Sequence, residues 1–406
     1  PILAADGSEL AGPGPVVTVS VVGERVKDPA AVVDALATHL EVPRAAARRH
    51  LADAERRPNQ AVPVVTVPEV DYQAVRDAIY PVPGLSFTEE VGREYNGPAS
   101  ARVLLGSVDP VTADDLKELG APYQTGDRTG HGNGLEAAFE RQLAGTPSGQ
   151  VRLVARDGKD GEAKVLHELA GSDGEAVETT LDPLVQRAAE AALDPVSKPA
   201  ALVAVKPSTG ELVAVVNTPF EGYNRALLGR YPPGSTFKVV TAGALLAGGL
   251  RPGDPVACPK EAKVGGRTFG NFEDEVLGRI QFSSAFAHSC NTAFVQQAAK
   301  RLDGDELVAA AARFGFGLDP SPGIPAVTSH VPPPSDQADL AAEAFGQGRV
   351  TASPLQMALV AATVADGRWH QPRLVAGEDG AGQAEAPKPL DAKVAATLRT
   401  LMRQVV

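Results

Sequence analysis

One segment restricts the local fold of this chain more than any other. Residues 231–240 read YPPGSTFKVV, and the apolar run that follows ends at Gly248-Gly249. The two prolines and the glycine stop any preceding element, so the apolar run predicts a buried helix that begins near Ser235. Ser235 and Lys238 then lie three residues apart in its first turn.

The spacing of Ser235 and Lys238 places a hydroxyl and an amine on one helix face, within reach of each other. Burial and the positive end of the helix dipole both disfavour an ammonium, so the pKa of Lys238 should fall. The neutral amine could then accept the proton of Ser235, whose backbone N–H could stabilise an oxyanion. A serine N-cap with a nearby lysine also occurs for structural reasons alone.

A second short segment supplies further polar side chains. Residues 289–291 read SCN and lie between two helical stretches, 282–288 and 292–302. A short connecting loop can present Ser289 and Asn291 to a cleft. We expect Ser289 to relay a proton from the lysine to a leaving amine and Asn291 to bind the substrate amide. Asn291 could equally be the N-cap of the second helix.

Together these motifs resemble the transpeptidase domain of penicillin-binding proteins. The resemblance rests on STFK at 235–238 and SCNTAF at 289–294, where Cys290 replaces the aspartate of the usual Ser-Asp-Asn. It extends to FGQG at 345–348 and ASPLQMA at 352–358, which are similar to the segment leading into a late helix of that domain. The similarity covers about residues 179 to 375.

The region before residue 179 resembles, more weakly, the non-catalytic pedestal of the monofunctional class B enzymes, through GLE at 134–136 and LAG at 143–145. The implied fold is α+β: a dimerisation-type pedestal over 1–175, then a transpeptidase domain over 176–406. Hairpin-type turns within 156–175 mark the boundary. The second domain should hold an antiparallel sheet with helices on both faces.

The resemblance implies a peptidoglycan D,D-transpeptidase that forms a Ser235 acyl-enzyme with D-Ala-D-Ala stem peptides and is acylated by β-lactams. The resemblance implies that no metal or organic cofactor is needed and that a glycosyltransferase is a partner. It also implies a role in cell shape or cell division, at the extracytoplasmic face of a bacterial membrane. An N-terminal anchor is expected upstream of Pro1. The chain contains no Lys-Thr-Gly or Lys-Ser-Gly, so that motif is expected after Val406, and the second domain is expected to be incomplete in this sequence.

Other functions remain open on the residues alone. A D,D-carboxypeptidase would use water as the acceptor, a class D-like β-lactamase or sensor shares the same serine and lysine chemistry, and a non-catalytic scaffold of wall synthesis fits the missing third motif. A Ser-His-Asp hydrolase fits poorly, because no G-x-S-x-G elbow is present and no histidine has a triad context. His288 is the histidine nearest a motif, and a helix-end structural role is expected for it.

The composition argues against several other classes of protein. The formal net charge is -12 and no block of lysine and arginine occurs, so nucleic acid is not an expected partner. No run reaches the roughly 18 apolar residues that cross a bilayer. Cys258 and Cys290 match no zinc or redox motif, and they form either one disulfide or two buried thiols.

Overall fold

The structure is a computed structural model. It describes residues 1–40, 42–125, 127–154, 164–220, 222–377 and 385–405. The chain forms two compact units, one of Pro1–Leu3 and Ser8–Gly97, the other of Ala4–Gly7 and Pro98–Val406. Residues 156–161, one of the predicted boundary turns, lie outside the described residues, and the boundary at residue 175 stays a prediction.

The first unit is an antiparallel sheet packed against helices. Its strands are β1 (Ile2–Leu3), β2 (Glu9–Val22), β3 (Ala61–Pro68) and β4 (Leu85–Tyr95), and its helices are α1 (Pro29–His39), α2 (Arg44–Arg56) and α3 (Glu69–Ile79). The long strand β2 pairs with β3 on one side and β4 on the other. Alternate valines Val17, Val19 and Val21 are fully buried among the helices, as period-two alternation requires.

The second unit contains more numerous, shorter elements. Up to residue 218 these are α4 (Arg102–Leu105), β5 (Ser107–Pro110), α5 (Asp115–Leu119), β6 (Arg128–His131), α6 (Leu135–Ala138), α7 (Glu140–Ala144), β7 (Gly149–Leu153), β8 (Lys164–Leu169), β9 (Val177–Glu178), α8 (Pro183–Leu193), β10 (Ala200–Val205) and β11 (Leu212–Thr218). Helix α8 begins after its cap Asp182 and packs on the antiparallel β10–β11 pair.

The rest of the second unit carries the two motifs. Its elements are α9 (Arg225–Leu228), α10 (Lys238–Ala247), β12 (Pro255–Cys258), β13 (Glu261–Val264), β14 (Arg267–Gly270), β15 (Gly278–Gln281), α11 (Phe282–Ala287), α12 (Asn291–Arg301), α13 (Gly304–Ala312), α14 (Gln337–Glu343), α15 (Pro354–Asp366) and α16 (Ala392–Arg403). All strand pairs among these elements are antiparallel: β12 with β15 and β13 with β14. This mixture of helices and antiparallel pairs agrees with the α+β class.

Helix α10 lies in the main hydrophobic core, as its apolar sequence predicts. Val240 and Leu245 are fully buried, in one cluster with residues of α12, α13 and α16. The helix is preceded by a 3-10 turn, Gly234–Phe237, and becomes α-helical at Lys238. The buried position of α10 fixes the backbone from which Lys238 projects.

No helix in the described ranges has both the length and the apolar character needed to span a bilayer.

Candidate active site

Ser235 and Lys238 lie together at the start of the buried helix. Ser235 is exposed in the 3-10 turn, whereas Lys238, the first residue of α10, is only 2% exposed. The Lys238 Nζ lies 3.1 Å from the Ser235 Oγ. The three-residue spacing therefore brings the two groups into contact, one open to a ligand and the other inside the protein.

The amine of Lys238 also reaches both polar residues of the second motif. Its Nζ lies 2.9 Å from the Ser289 Oγ, 2.7 Å from the Ser289 carbonyl oxygen and 2.6 Å from the Asn291 Oδ1. The ring of Phe294 lies beneath it, with its centroid 5.5 Å away. Burial lowers the pKa of Lys238 from 10.5 to about 7, because desolvation disfavours the charged form.

The contacts of Lys238 can be satisfied by a neutral amine. Two of its four oxygen neighbours, the Ser289 carbonyl and the Asn291 Oδ1, can only accept hydrogen bonds, and the Asn291 amide is oriented by donating its Nδ2 to the Gly270 carbonyl at 3.1 Å. The two N–H groups of a neutral amine satisfy these acceptors. The remaining lone pair is then available to a hydroxyl proton, from Ser235 or from Ser289.

Ser289 is held in an unusual backbone conformation between α11 and α12. Its φ is +56°, in the left-handed region that few residues other than glycine adopt. Its N–H donates to the Phe286 carbonyl, and the next N–H, of Cys290, donates to the Ala285 carbonyl. The turn that aims both the side chain and the carbonyl of Ser289 at one amine is therefore fixed by α11, which fits the strain often found at functional sites.

Cys290 forms a disulfide with Cys258, which decides between the two predictions made for this pair. The bond ties the turn of the second motif to strand β12, with both cysteines buried. Cys290 is also the N-cap of α12, since its sulfur accepts from the Ala293 N–H, and Asn291 is the first helical residue. Asn291 is therefore not the N-cap, and its side chain is free to meet Lys238.

Asn271 is a supporting residue that no sequence pattern singles out. Its Nδ2 donates to the carbonyls of Pro259 and Glu275, at 2.9 and 2.8 Å, and its Oδ1 accepts from the Thr292 N–H at 3.0 Å. One half-buried amide thus joins the loop after β14 to the first turn of α12. Only the tertiary contacts reveal this role, because an isolated asparagine in a loop is common.

The 345–348 and 352–358 segments meet the turn that carries the serine. The Gly234 N–H donates to the Gly346 carbonyl at 2.9 Å, and a Cβ on Gly346, whose φ is +74°, would lie 2.0 Å from the Gly234 oxygen. The predicted late helix is α15, capped by Ser353. Glycine at 346 therefore permits a backbone approach that supports the position of Ser235.

His288 stays outside the cluster around Lys238. It is exposed at the end of α11, and its Nδ1 lies 3.6 Å from a carboxylate oxygen of Glu275. Within the described part of the chain, no group of histidine, cysteine and carboxylate side chains could hold a metal ion.

Comparison with known proteins gives matches over both parts of the chain. Residues 200–406 match the family described as the penicillin binding protein transpeptidase domain, and residues 1–179 match the penicillin-binding protein dimerisation domain. The chain is 34% identical over 317 residues to the peptidoglycan D,D-transpeptidase PbpA of Mycolicibacterium smegmatis, covering 66% of this chain and 62% of that protein. It is 25% identical over 333 residues to the peptidoglycan D,D-transpeptidase MrdA of Acinetobacter baumannii, covering 72% of this chain and 48% of that protein.

The fold is similar to that of solved structures as well. The penicillin-binding protein PBP2 of Helicobacter pylori, in its complex with MreC, superposes with a TM-score of 0.71 at 18% identity, over 100% of this chain and 82% of that one. At this identity the likeness concerns the fold. The chain spans less than two thirds of the length of the curated relatives named above.

Proposed function

This chain belongs to the penicillin-binding protein transpeptidase family, and from that premise we propose that it is a peptidoglycan D,D-transpeptidase of the class B type. One observation carries the proposal: the buried amine of Lys238 contacts the hydroxyls of Ser235 and Ser289 and the amide oxygen of Asn291 together. This arrangement links a nucleophile, a base and a second hydroxyl without any cofactor.

In the proposed acylation step, the Ser235 Oγ attacks the carbonyl between the two D-alanines of a stem peptide. The neutral amine of Lys238 takes the Ser235 proton as the new C–O bond forms. The backbone N–H of Ser235 stabilises the oxyanion of the tetrahedral intermediate. Ser289 gives its proton to the leaving nitrogen and takes up the one that Lys238 holds, the C–N bond breaks and D-Ala departs, leaving an ester on Ser235.

In the proposed second step, an amine from a neighbouring stem peptide attacks the ester. Lys238 accepts a proton from that amine, and the Ser235 oxygen leaves and is protonated through the same cluster. Asn291 holds the substrate amide through the second N–H of its Nδ2, since the first is donated to the Gly270 carbonyl. A β-lactam follows the first step, but its leaving nitrogen stays tethered to the acyl group, so it blocks the attacking amine.

The proposed setting follows from the substrate. Peptidoglycan precursors are polymerised outside the cytoplasmic membrane, so we place the protein at its extracytoplasmic face. We propose β-lactams as its inhibitors and a glycosyltransferase that makes the glycan strands as its partner. The similarity to a PBP2 that was solved in complex with MreC supports a search for protein partners, and the glycosyltransferase is our proposal alone.

Covalent labelling with a fluorescent penicillin tests the proposal, on this chain and on a form continued to a Lys-Thr-Gly-type motif. Stable label should require Ser235 and vanish in Ser235→Ala. Thr236→Ala is the matched control, because this neighbouring exposed hydroxyl bonds to the Pro233 carbonyl. Rapid loss of label would indicate a β-lactamase, and no label on the continued form would leave only the scaffold hypothesis.

A stem-peptide assay separates the two peptidase activities. Release of D-Ala with formation of a cross-linked dimer in the presence of an acceptor amine is expected for a transpeptidase. Release of D-Ala with hydrolysis alone, whatever the amine concentration, would identify a D,D-carboxypeptidase.

A further inference from the structure

A basic cavity lies beside the second half of α12, away from Asn291. Residues of α12, β12, β13 and β15 line the cavity, and its volume is about 670 Å³, within the range of ligand-binding cavities. One lining residue, Lys300, lies about 14 Å from Asn291 along the helix axis, at about 1.5 Å per residue. The cavity is therefore separate from the cluster around Lys238.

Three exposed cations from three different elements line this cavity: Lys263 of β13, Arg279 of β15 and Lys300 of α12. Among the residues that the structure describes, no carboxylate lies within ion-pairing distance of their side-chain nitrogens. By contrast, the Lys260 Nζ lies 3.0 Å from a carboxylate oxygen of Asp274. The chain has 50 acidic residues against 38 lysines and arginines, so a shortage of carboxylates does not explain the unpaired cations.

A structural role accounts for only one of these cations. Lys300 lies in the last turn of α12, where a positive charge interacts favourably with the helix dipole. Lys263 and Arg279 lie on strands, where that interaction does not apply. Their positive charge is therefore available to a ligand in the cavity.

The rest of the lining adds a hydrogen-bond donor and apolar surface. The Gln297 Oε1 accepts from the Arg301 Nε at 3.0 Å, and the Gln297 Nε2 has no hydrogen-bond partner among the described residues. An amide N–H of this kind can donate to a carboxylate. Pro255 and Val264 line the same cavity, so methylene groups of a peptide can pack against them.

We propose that this cavity binds an acidic segment of a partner protein through two or more of its carboxylates. The cations come from three elements placed around the cavity, which suits carboxylates separated along a peptide. A compact phosphate group is usually held by the N–H groups at a helix N-terminus. Here α12 instead contributes its C-terminal half, where the dipole is negative and disfavours a small, highly charged anion.

The test measures binding of a short fluorescein-labelled peptide that alternates glutamate and alanine, by fluorescence anisotropy in about 50 mM salt, where screening is weak. The control peptide has glutamine in place of each glutamate. One protein variant combines Lys263→Gln with Arg279→Gln. The matched control variant combines Lys198→Gln with Lys393→Gln, which removes the same charge from exposed positions outside the cavity.

The acidic peptide should bind the unaltered protein, the glutamine peptide should not, and binding should be lost in about 1 M salt. The cavity variant should weaken binding roughly 5- to 30-fold, as expected for two exposed ion pairs, and the control variant should stay within about 2-fold. Lys300→Gln alone should weaken binding by about 2- to 5-fold. Thermal unfolding should be nearly unchanged in every variant, because all the substituted side chains are exposed.

Three results would overturn the proposal. Equal weakening in the two double variants would mean that the peptide responds only to net charge. Displacement of the labelled peptide by tripolyphosphate at a lower concentration than by the unlabelled acidic peptide would indicate a phosphate site. No change in anisotropy with the unaltered protein would show that the cavity does not bind acidic peptides.

Discussion

The protonation of Lys238 can be shifted by replacing one side-chain nitrogen with an oxygen of similar size. In Asn291→Asp, a carboxylate oxygen replaces the amide oxygen that lies 2.6 Å from the Lys238 Nζ. An opposite charge this close favours the ammonium and raises the lysine pKa by about 1 to 3 units. From a starting value of about 7, the midpoint should move to about 8 to 10.

The size of the effect follows from the fraction of neutral amine. With a pKa of about 7, roughly half of Lys238 is neutral at pH 7 and about 1% at pH 5, so acylation should rise some 50-fold between these values. With a midpoint of about 8 to 10, the neutral fraction at pH 7 falls to about 10% to 0.1%. Asn291→Asp should therefore be about 5- to 500-fold slower at pH 7 and recover in alkaline solution.

The assay is the second-order rate constant of labelling by a fluorescent penicillin, followed from pH 5 to 10. Asn291→Ser is the matched control: it loses the amide donor without adding charge, so it should lower the plateau and leave the midpoint near that of the unaltered protein. A midpoint in Asn291→Asp that stays near 7 would refute the assignment of Lys238 as the base. So would a rate in the unaltered protein that does not change between pH 5 and 9.

Three further predictions concern stability and support of the site. Replacing Cys258 and Cys290 with serine should lower the free energy of unfolding in denaturant by about 3 to 4 kcal/mol, given the sequence separation of 32, and slow labelling by freeing the turn of the second motif. Gly346→Ala should unfold at a lower denaturant concentration and react more slowly with the fluorescent penicillin. Gly348→Ala should have smaller effects on both, because its φ is similar but its added Cβ would lie 3.4 Å from the nearest atom. Equal effects of the two substitutions would contradict the close approach of Gly346 to Gly234. Burial raises the pKa of Glu343 from 4.5 to about 7, so the contribution of this side chain to stability is fully present below pH 4.5 and is lost as the pH rises through 7. The melting temperature of Glu343→Gln should therefore fall less over this pH range than that of the unaltered protein. Parallel plots of melting temperature against pH for the two proteins would contradict this prediction.

Several parts of the fold were predictable because they are encoded over short stretches of chain. The alternating valines of β2, the Asp182 cap of α8 and the apolar run of α10 each carry a local period or end signal. The helices on either side of Ser289 were predicted within a few residues of their observed ends. The three-residue spacing to Lys238 needs only helical geometry, which is why the first half of the candidate site could be placed from sequence.

What joins the two motifs was decided by tertiary structure. Lys238 and Asn291 are 53 residues apart, and they meet because α10 and α12 pack into one core. No local pattern specifies that packing, nor that Cys290 bonds to Cys258 instead of remaining a buried thiol. The bracing by Asn271 and the close approach of Gly346 likewise depend on where distant backbone segments pass.

The same division holds for the chemistry of the site. The sequence by itself determined which reactive side chains are present and the direction in which burial would shift the lysine pKa. Only the folded structure decided how far that pKa falls and which oxygens surround the amine. Desolvation and hydrogen bonding depend on the atoms that enclose a group, and most of those atoms come from parts of the chain far away in sequence.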